Sequence, residues 1–278
     1  MPVKNKNRIY GKPQREYSPE DVRDMVETLE CVLGLTRKPV GVRLYFDQES
    51  YEGLDWPEPD SHLAYCCIVE KATRGRNFKS RMEKSCCDGG TTALFTEPST
   101  ERIESGMEYF SYNLYATPAA ARRVREGVPG LYRTGAPTWG IAVGPLEAFE
   151  DEPDVVLILA DPYQVMRLQQ GNVYRQGGRL TFTGASMQAI CAEATVEPYL
   201  TGRMNVTPLC PSTRFLARWA DSEMAVGIPW EQFMDTAQGV LATLDTTDSP
   251  DRKNEIAARL KSRGKTLENP EQPGVAEE

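Results

Sequence analysis

Residues 139–163 read WGIAVGPLEAFEDEPDVVLILADPY and hold the clearest alternation of strand and helix signals in the chain. Val155 to Ala160 is an unbroken apolar run bounded by Pro153-Asp154 and Asp161-Pro162. A run that short between turn residues predicts a strand covered on both faces rather than a helix. Trp139 to Pro145 predicts a second strand. Asp161-Pro162-Tyr163 then opens a helix, since Asp caps free amides and Pro suits the first helical position. Val165, Met166 and Leu168 face its core, and Gly177-Gly178 ends the segment.

Working outward, Arg179 to Gly184 reads as a third strand, and Pro39 to Phe46 as another by its β-branched and aromatic content. Ser18-Pro19-Glu20-Asp21 starts an amphipathic helix, with Val22, Met25, Leu29, Val32 and Leu33 at helical spacing and Gly34 at its end. Helices are also predicted from about His62 to Gly75, over Ala119 to Glu126 and over Ser186 to Ala194. A last packed helix begins at Ile228-Pro229-Trp230. Pro208-Leu209-Cys210-Pro211 reads as a loop, because proline on both sides forbids continued helix. Helix and strand mixed without regular alternation predict an α+β fold: one compact mixed sheet-and-helix domain over 19–245. Residues 1–18 read as a polar, flexible arm, and 246–278 as a solvated helix and a disordered tail.

The chain has 278 residues, 40% apolar, enough for a sizeable core. Lys and Arg number 32 against 40 Asp and Glu, a net charge of −8, which disfavours phosphate-driven nucleic-acid binding. No apolar stretch approaches the roughly 18 residues of a membrane span, and the basic amino terminus has no apolar segment behind it. The expected location is the cytoplasm, where thiols stay reduced.

One histidine, His62, stands against seven cysteines at 31, 66, 67, 86, 87, 191 and 210. A lone imidazole cannot supply a multi-histidine metal site. The seven thiols are an odd number and include two vicinal pairs, a poor disulfide framework. Cys66 and Cys86 are 20 residues apart and Cys191 and Cys210 are 19 apart, so each half of the chain brings two thiolates. Four thiolates close a tetrahedral zinc site or hold an iron–sulfur cluster. No CxxC pair is present, and spacing alone does not separate a metal site from core packing. The flanks favour metal: Cys86 precedes Asp88-Gly89-Gly90, Cys210 precedes Pro211, and Cys66 follows a Pro-rich loop. One ligand per vicinal pair is expected, with the second sulfur nearby. Cys31 fits a core position.

Other groups have plainer readings beside their functional ones. His62, four residues before Cys66, shares its face if the helix extends that far. Asp88-Gly89-Gly90-Thr91-Thr92 reads as a turn, Glu147 as a helix first-turn carboxylate, and Arg167, Arg203 and Arg214 as solvated or as charge partners near the cysteine segments. Asp221 and Glu223 are solvated or pair with one of those arginines.

Taken in order, Pro39-Val40-Gly41-Val42, Cys66 ahead of Ala72 and Gly75, Cys86 ahead of Gly89-Gly90, Gly144-Pro145-Leu146-Glu147, Pro153-Asp154-Val155-Val156 and Met166-Arg167-Leu168 resemble the bacterial and archaeal family catalogued as domain of unknown function 169. The likeness continues through Ala189-Ile190-Cys191-Ala192-Glu193, Pro198-Tyr199-Leu200-Thr201-Gly202, Cys210 and Asp221-Ser222-Glu223-Met224, over about residues 25–242. The resemblance implies no reaction. It does imply that Cys66, Cys86, Cys191 and Cys210 stand at family positions, while Cys31, Cys67 and Cys87 are additions. Where many members have Gly-Cys-Arg after the last cysteine, this chain has Pro211-Ser212-Thr213-Arg214, so Cys67 or Cys87 is a candidate replacement ligand, and Arg214 a secondary contact. The resulting expectation is a [4Fe–4S] cluster on Cys66, Cys86, Cys191 and Cys210, serving redox or Lewis-acid chemistry on a small molecule. Its partner is that molecule or an electron carrier, with a homo-oligomer allowed. The alternatives are a zinc or soft-metal thiolate site without catalysis, and a small-molecule-binding domain with core cysteines.

Overall fold

A computed structural model describes residues 17–83 and 85–266. It shows an α+β fold built on one six-stranded, wholly antiparallel sheet: β1 (Val40–Tyr45), β2 (Phe78–Ser80), β3 (Gly140–Pro145), β4 (Val155–Ala160), β5 (Asn205–Thr207) and β6 (Met224–Pro229), in the order β2-β3-β1-β4-β6-β5. The opening stretch supplies two of its strands. β4 runs along the middle, with Val156 opposite Gly41 of β1 and Ile228 of β6.

Period-two geometry sends alternate side chains of β4 to opposite faces. Val155, Leu157 and Leu159 join one hydrophobic layer, with Val40, Val42, Ile141 and Val143. Val156, Ile158 and Ala160 join the other, with Val206, Val226 and Ile228. Every residue of β4 is therefore buried, which is why its sequence is continuous rather than alternating.

Helices cover both faces. On the second layer, Pro19–Leu33 carries the expected Ser18–Asp21 capping box and stops at Gly34, whose φ is 67°. Pro162–Val173 has a like box from Asp161 and Gln164. Trp230–Ala242 packs against it, and Pro250–Ser262 docks Ile256 and Leu260 on the same layer. The buried Arg167 ties that last helix in: it lies 3.1 Å from Asp248 and donates to the Val240 carbonyl at 2.8 Å. Of the arm expected at 1–18, residues 1–16 lie outside the described residues, as does the tail beyond 266.

Three local expectations are corrected. Arg179 to Gly184 is not a strand. The side chain of Asn205 does the pairing there, accepting from the Thr183 amide at 3.0 Å and donating to its carbonyl at 2.9 Å. Met224–Pro229 is a strand, so Ile228-Pro229 ends β6 rather than beginning the helix. The helix after His62 starts only at Tyr65, leaving His62 exposed and off the Cys66 face. Among the described residues no helix is long and apolar enough to cross a membrane.

Candidate functional site

Four chain segments meet on the first layer around a cavity of about 200 Å³. Helix Tyr65–Ala72 brings Cys66 in its first turn. Cys87 caps helix Asp88–Leu94, with Cys86 just before it. Cys191 sits on a π-helical segment, Ala189–Val196, that is buried along its whole length. Cys210 caps helix Pro211–Ala217. The expected Cys66, Cys86, Cys191 and Cys210 thus all line one cavity, joined by Cys87. Their floor is buried, with Cys66 and Cys191 each 8% exposed, while Cys86 and Asp88 are exposed at the mouth.

The π-helix is held from several sides. Gly227 of β6 has no Cβ, and one built there would stand 1.8 Å from the Ala194 carbonyl oxygen, so glycine is what lets this segment lie on the sheet. The buried Glu193 turns away from the cavity, accepting from the Ala185 amide at 2.6 Å and from the Thr207 hydroxyl. Thr195 shares a 2.9 Å hydrogen bond with the Tyr65 hydroxyl. Gln188, in the left-handed conformation at φ 53°, starts the segment and donates from Nε2 to the Gly89 carbonyl at 2.6 Å. The Cys191 thiol points to the same carbonyl at 3.9 Å. π-helical turns widen a helix at a cost in regularity and recur at functional sites.

Electrostatics follow from burial and from sulfur facing sulfur. Burial pushes the Cys191 thiol well up, and Cys87 and Cys210 add to it. Burial also raises Cys87, against the backbone amide of Gly90, which favours its thiolate. Cys66 gives its proton to a hydrogen bond with Cys67, which raises Cys66 and lowers Cys67. Cys67 is half-buried and does not line the cavity. Among the described residues no group of three or more His, Cys, Asp or Glu side chains is arranged to hold a metal ion.

Of the remaining candidates only Asp88-Gly89-Gly90 line the cavity. Cys31 packs in the opposite layer. The Arg214 guanidinium is taken up by the carbonyls of Pro208, Ala220 and Glu223, which staple the loop after β5, and it does not line the cavity. Glu223 pairs with Arg37 rather than with Arg167, Arg203 or Arg214. Glu147 pairs with Lys38. Asp88-Gly89-Gly90-Thr91-Thr92 is a helix start rather than a plain turn. Two further cavity residues were not singled out from the sequence: Tyr109, from the short helix Met107–Ser111, and Gln188. Only the tertiary fold brings Tyr109 in, whereas Gln188 lies three residues before Cys191, a spacing that could have pointed to it.

Fold and cavity together define a single-sheet α+β protein that gathers cysteines from distant parts of its chain into one buried pocket. The chain belongs to the DUF169 family, described as an uncharacterised ArCR, whose model matches residues 28–239. It is 25% identical over 227 residues to the uncharacterized protein MJ0308 of Methanocaldococcus jannaschii, covering 79% of this chain and 94% of that one. No solved structure matches it.

Proposed function

We propose that this protein holds an iron–sulfur cluster in the cysteine-lined cavity, used for redox or Lewis-acid chemistry on a small molecule in a reducing compartment. The observation that carries the reading is the convergence of Cys66, Cys87, Cys191 and Cys210, from four separate segments, on one largely buried cavity. Cys87 replaces Cys86 as the ligand of its pair, because Cys87 turns inward and Cys86 lies exposed at the mouth. An all-thiolate set suits iron–sulfur or zinc. The cavity that these sulfurs line, about 200 Å³ in all, has room for a body of several atoms as well as for a single ion. Thiolates buried without counter-charge are costly, and coordination supplies that charge. A partner delivers electrons or substrate at the mouth beside Cys86.

The test is anaerobic purification of the full chain with iron, sulfide and zinc quantification and visible absorption. Iron and sulfide in equal amounts are expected, abolished by Cys191→Ser and Cys87→Ser and kept by Cys31→Ser, whose sulfur lies across the sheet. Zinc without iron would replace the cluster with a structural metal site. A folded protein carrying no metal would overturn both.

A further inference from the structure

Beside the sulfurs the same cavity has polar equipment that coordination does not use. Tyr109 is 8% exposed and its hydroxyl has no hydrogen-bond partner among the described residues. Gln188 is 5% exposed, and with Nε2 committed to the Gly89 carbonyl at 2.6 Å its Oε1 is left without a partner among them. Both residues line the cavity. They meet at one place, because a Cβ built on Gly89 would stand 3.2 Å from the Tyr109 hydroxyl and 3.2 Å from Gln188 Nε2. A buried polar atom left unpaired costs about 1–3 kcal/mol in general, so two of them on neighbouring residues that line one cavity mark a place for a polar ligand.

We propose that Tyr109 and Gln188 form the binding subsite for a small uncharged molecule presenting an acceptor and a donor side by side, as a carboxamide does. The Tyr109 hydroxyl donates to the ligand carbonyl, and the ligand N–H donates to Gln188 Oε1. Asp88 also lines the cavity and opposes a carboxylate of the same shape, while Glu108 beside it is paired with Arg102. The Gln188 backbone takes its left-handed conformation at the start of the π-helix, three residues before Cys191, so one segment carries both this half of the subsite and one of the sulfurs. The assignment rests on the cavity described above, and it names the substrate class of the proposed centre without requiring the metal.

The experiment titrates full-length, anaerobically purified protein with acetamide and with acetate in the millimolar range, read by saturation-transfer NMR, with iron and sulfide measured on each sample. Saturation transfer to acetamide and none to acetate is expected. Tyr109→Phe, which removes only the hydroxyl, should weaken acetamide binding at least fivefold, and Gly89→Ala, which puts a methyl between the two polar groups, should abolish it. Acetamide that fails to bind, binds no better than acetate, or binds equally well to Tyr109→Phe overturns the subsite. If that happens in protein loaded with iron and sulfide, the cluster stands and the subsite falls; acetamide binding in metal-free protein gives the reverse.

Discussion

Replacing Gly227 with alanine tests whether the seating of the π-helix on β6 is as tight as the geometry requires. The new methyl would lie 1.8 Å from the Ala194 carbonyl oxygen, 2.7 Å from its carbonyl carbon and 2.9 Å from Pro198 Cγ. Two of these are backbone atoms, which cannot rotate away. β6 cannot retreat either, since Gly227 is paired with Leu157 of β4 on one side and Asn205 of β5 on the other. The π-helix must therefore lift by more than an ångström. Overpacking of a close-packed interior costs typically 1–3 kcal/mol, and backbone against backbone belongs at the top, about 3 kcal/mol. For a domain of this size that corresponds to a fall in Tm of roughly 6–12 °C. Thermal melts and urea titrations of Gly227→Ala measure it, with Gly127→Ala, which meets nothing within 4 Å, as the control. Cys191 is three residues from Ala194, so the cluster proposed above would be lost with it. A Gly227→Ala protein within about 0.5 kcal/mol of the parent, the usual span of innocuous substitutions, would show that the π-helix is not seated this tightly.

Asn205→Ala removes three hydrogen bonds that its side chain makes with the Thr183 amide and carbonyl and the Glu193 carbonyl. At about 1 kcal/mol each it should cost roughly 3 kcal/mol by urea denaturation; a loss under about 1 kcal/mol would show that the 179–184 segment is not held this way. Asp248→Asn leaves the Arg167 guanidinium buried without its 3.1 Å counter-ion, at an expected cost of about 3 kcal/mol; stability unchanged within about 0.5 kcal/mol would contradict a paired interior charge. Burial raises the pKa of Glu30, with Lys38 pulling it down, so the ionised form is the one the fold disfavours. The unfolded chain sheds this proton first, and stability drains as pH rises from the unfolded pKa through the raised folded one. Glu30→Gln should therefore melt above the parent at neutral pH and converge with it as pH falls below the ordinary carboxylate range, and parallel pH profiles would count against this.

Elements written in local chemistry were legible. The first helix declared itself through Ser18, Pro19, Asp21 and Gly34, each acting within a turn of its own position. β4 was legible because burial on both faces leaves a continuous apolar run between prolines. β6 was not: Met-Ala-Val-Gly-Ile-Pro carries a terminal proline that also suits a helix start, and its strand character comes from β4 and β5 on either side. Leu180 and Phe182 alternate as in a strand, yet the partner that would have made a ladder is a single asparagine side chain, which no pattern announces. β2 and β5, three residues each, are too short to show a period.

The cysteine site was legible to the level of segments and not of sulfurs, and the backbone explains the difference. Turn residues beside Cys86 and Cys210 signalled that these thiols were not mid-element, and both segments prove to be helix starts, with Cys87 and Cys210 in the capping position. Which member of a vicinal pair faces inward depends on the local conformation. On helix Tyr65–Ala72 neighbouring side chains diverge by about 100°, so with Cys66 inside, Cys67 must leave the cavity. At Cys87 the backbone is extended, φ −142° and ψ 99°, and successive side chains point to opposite sides, so with Cys87 the more buried of the two, Cys86 is left exposed at the mouth of the same cavity. Each doublet thus commits one sulfur to the interior by a different rule. A second sulfur that backs the first, as Cys67 backs Cys66, accepts its S–H hydrogen bond and so keeps the proton on Cys66, whereas an exposed one such as Cys86 meets whatever approaches the mouth. The two doublets are for that reason not interchangeable: removing Cys67 should alter how readily the site deprotonates, and removing Cys86 should alter only what the site meets from outside.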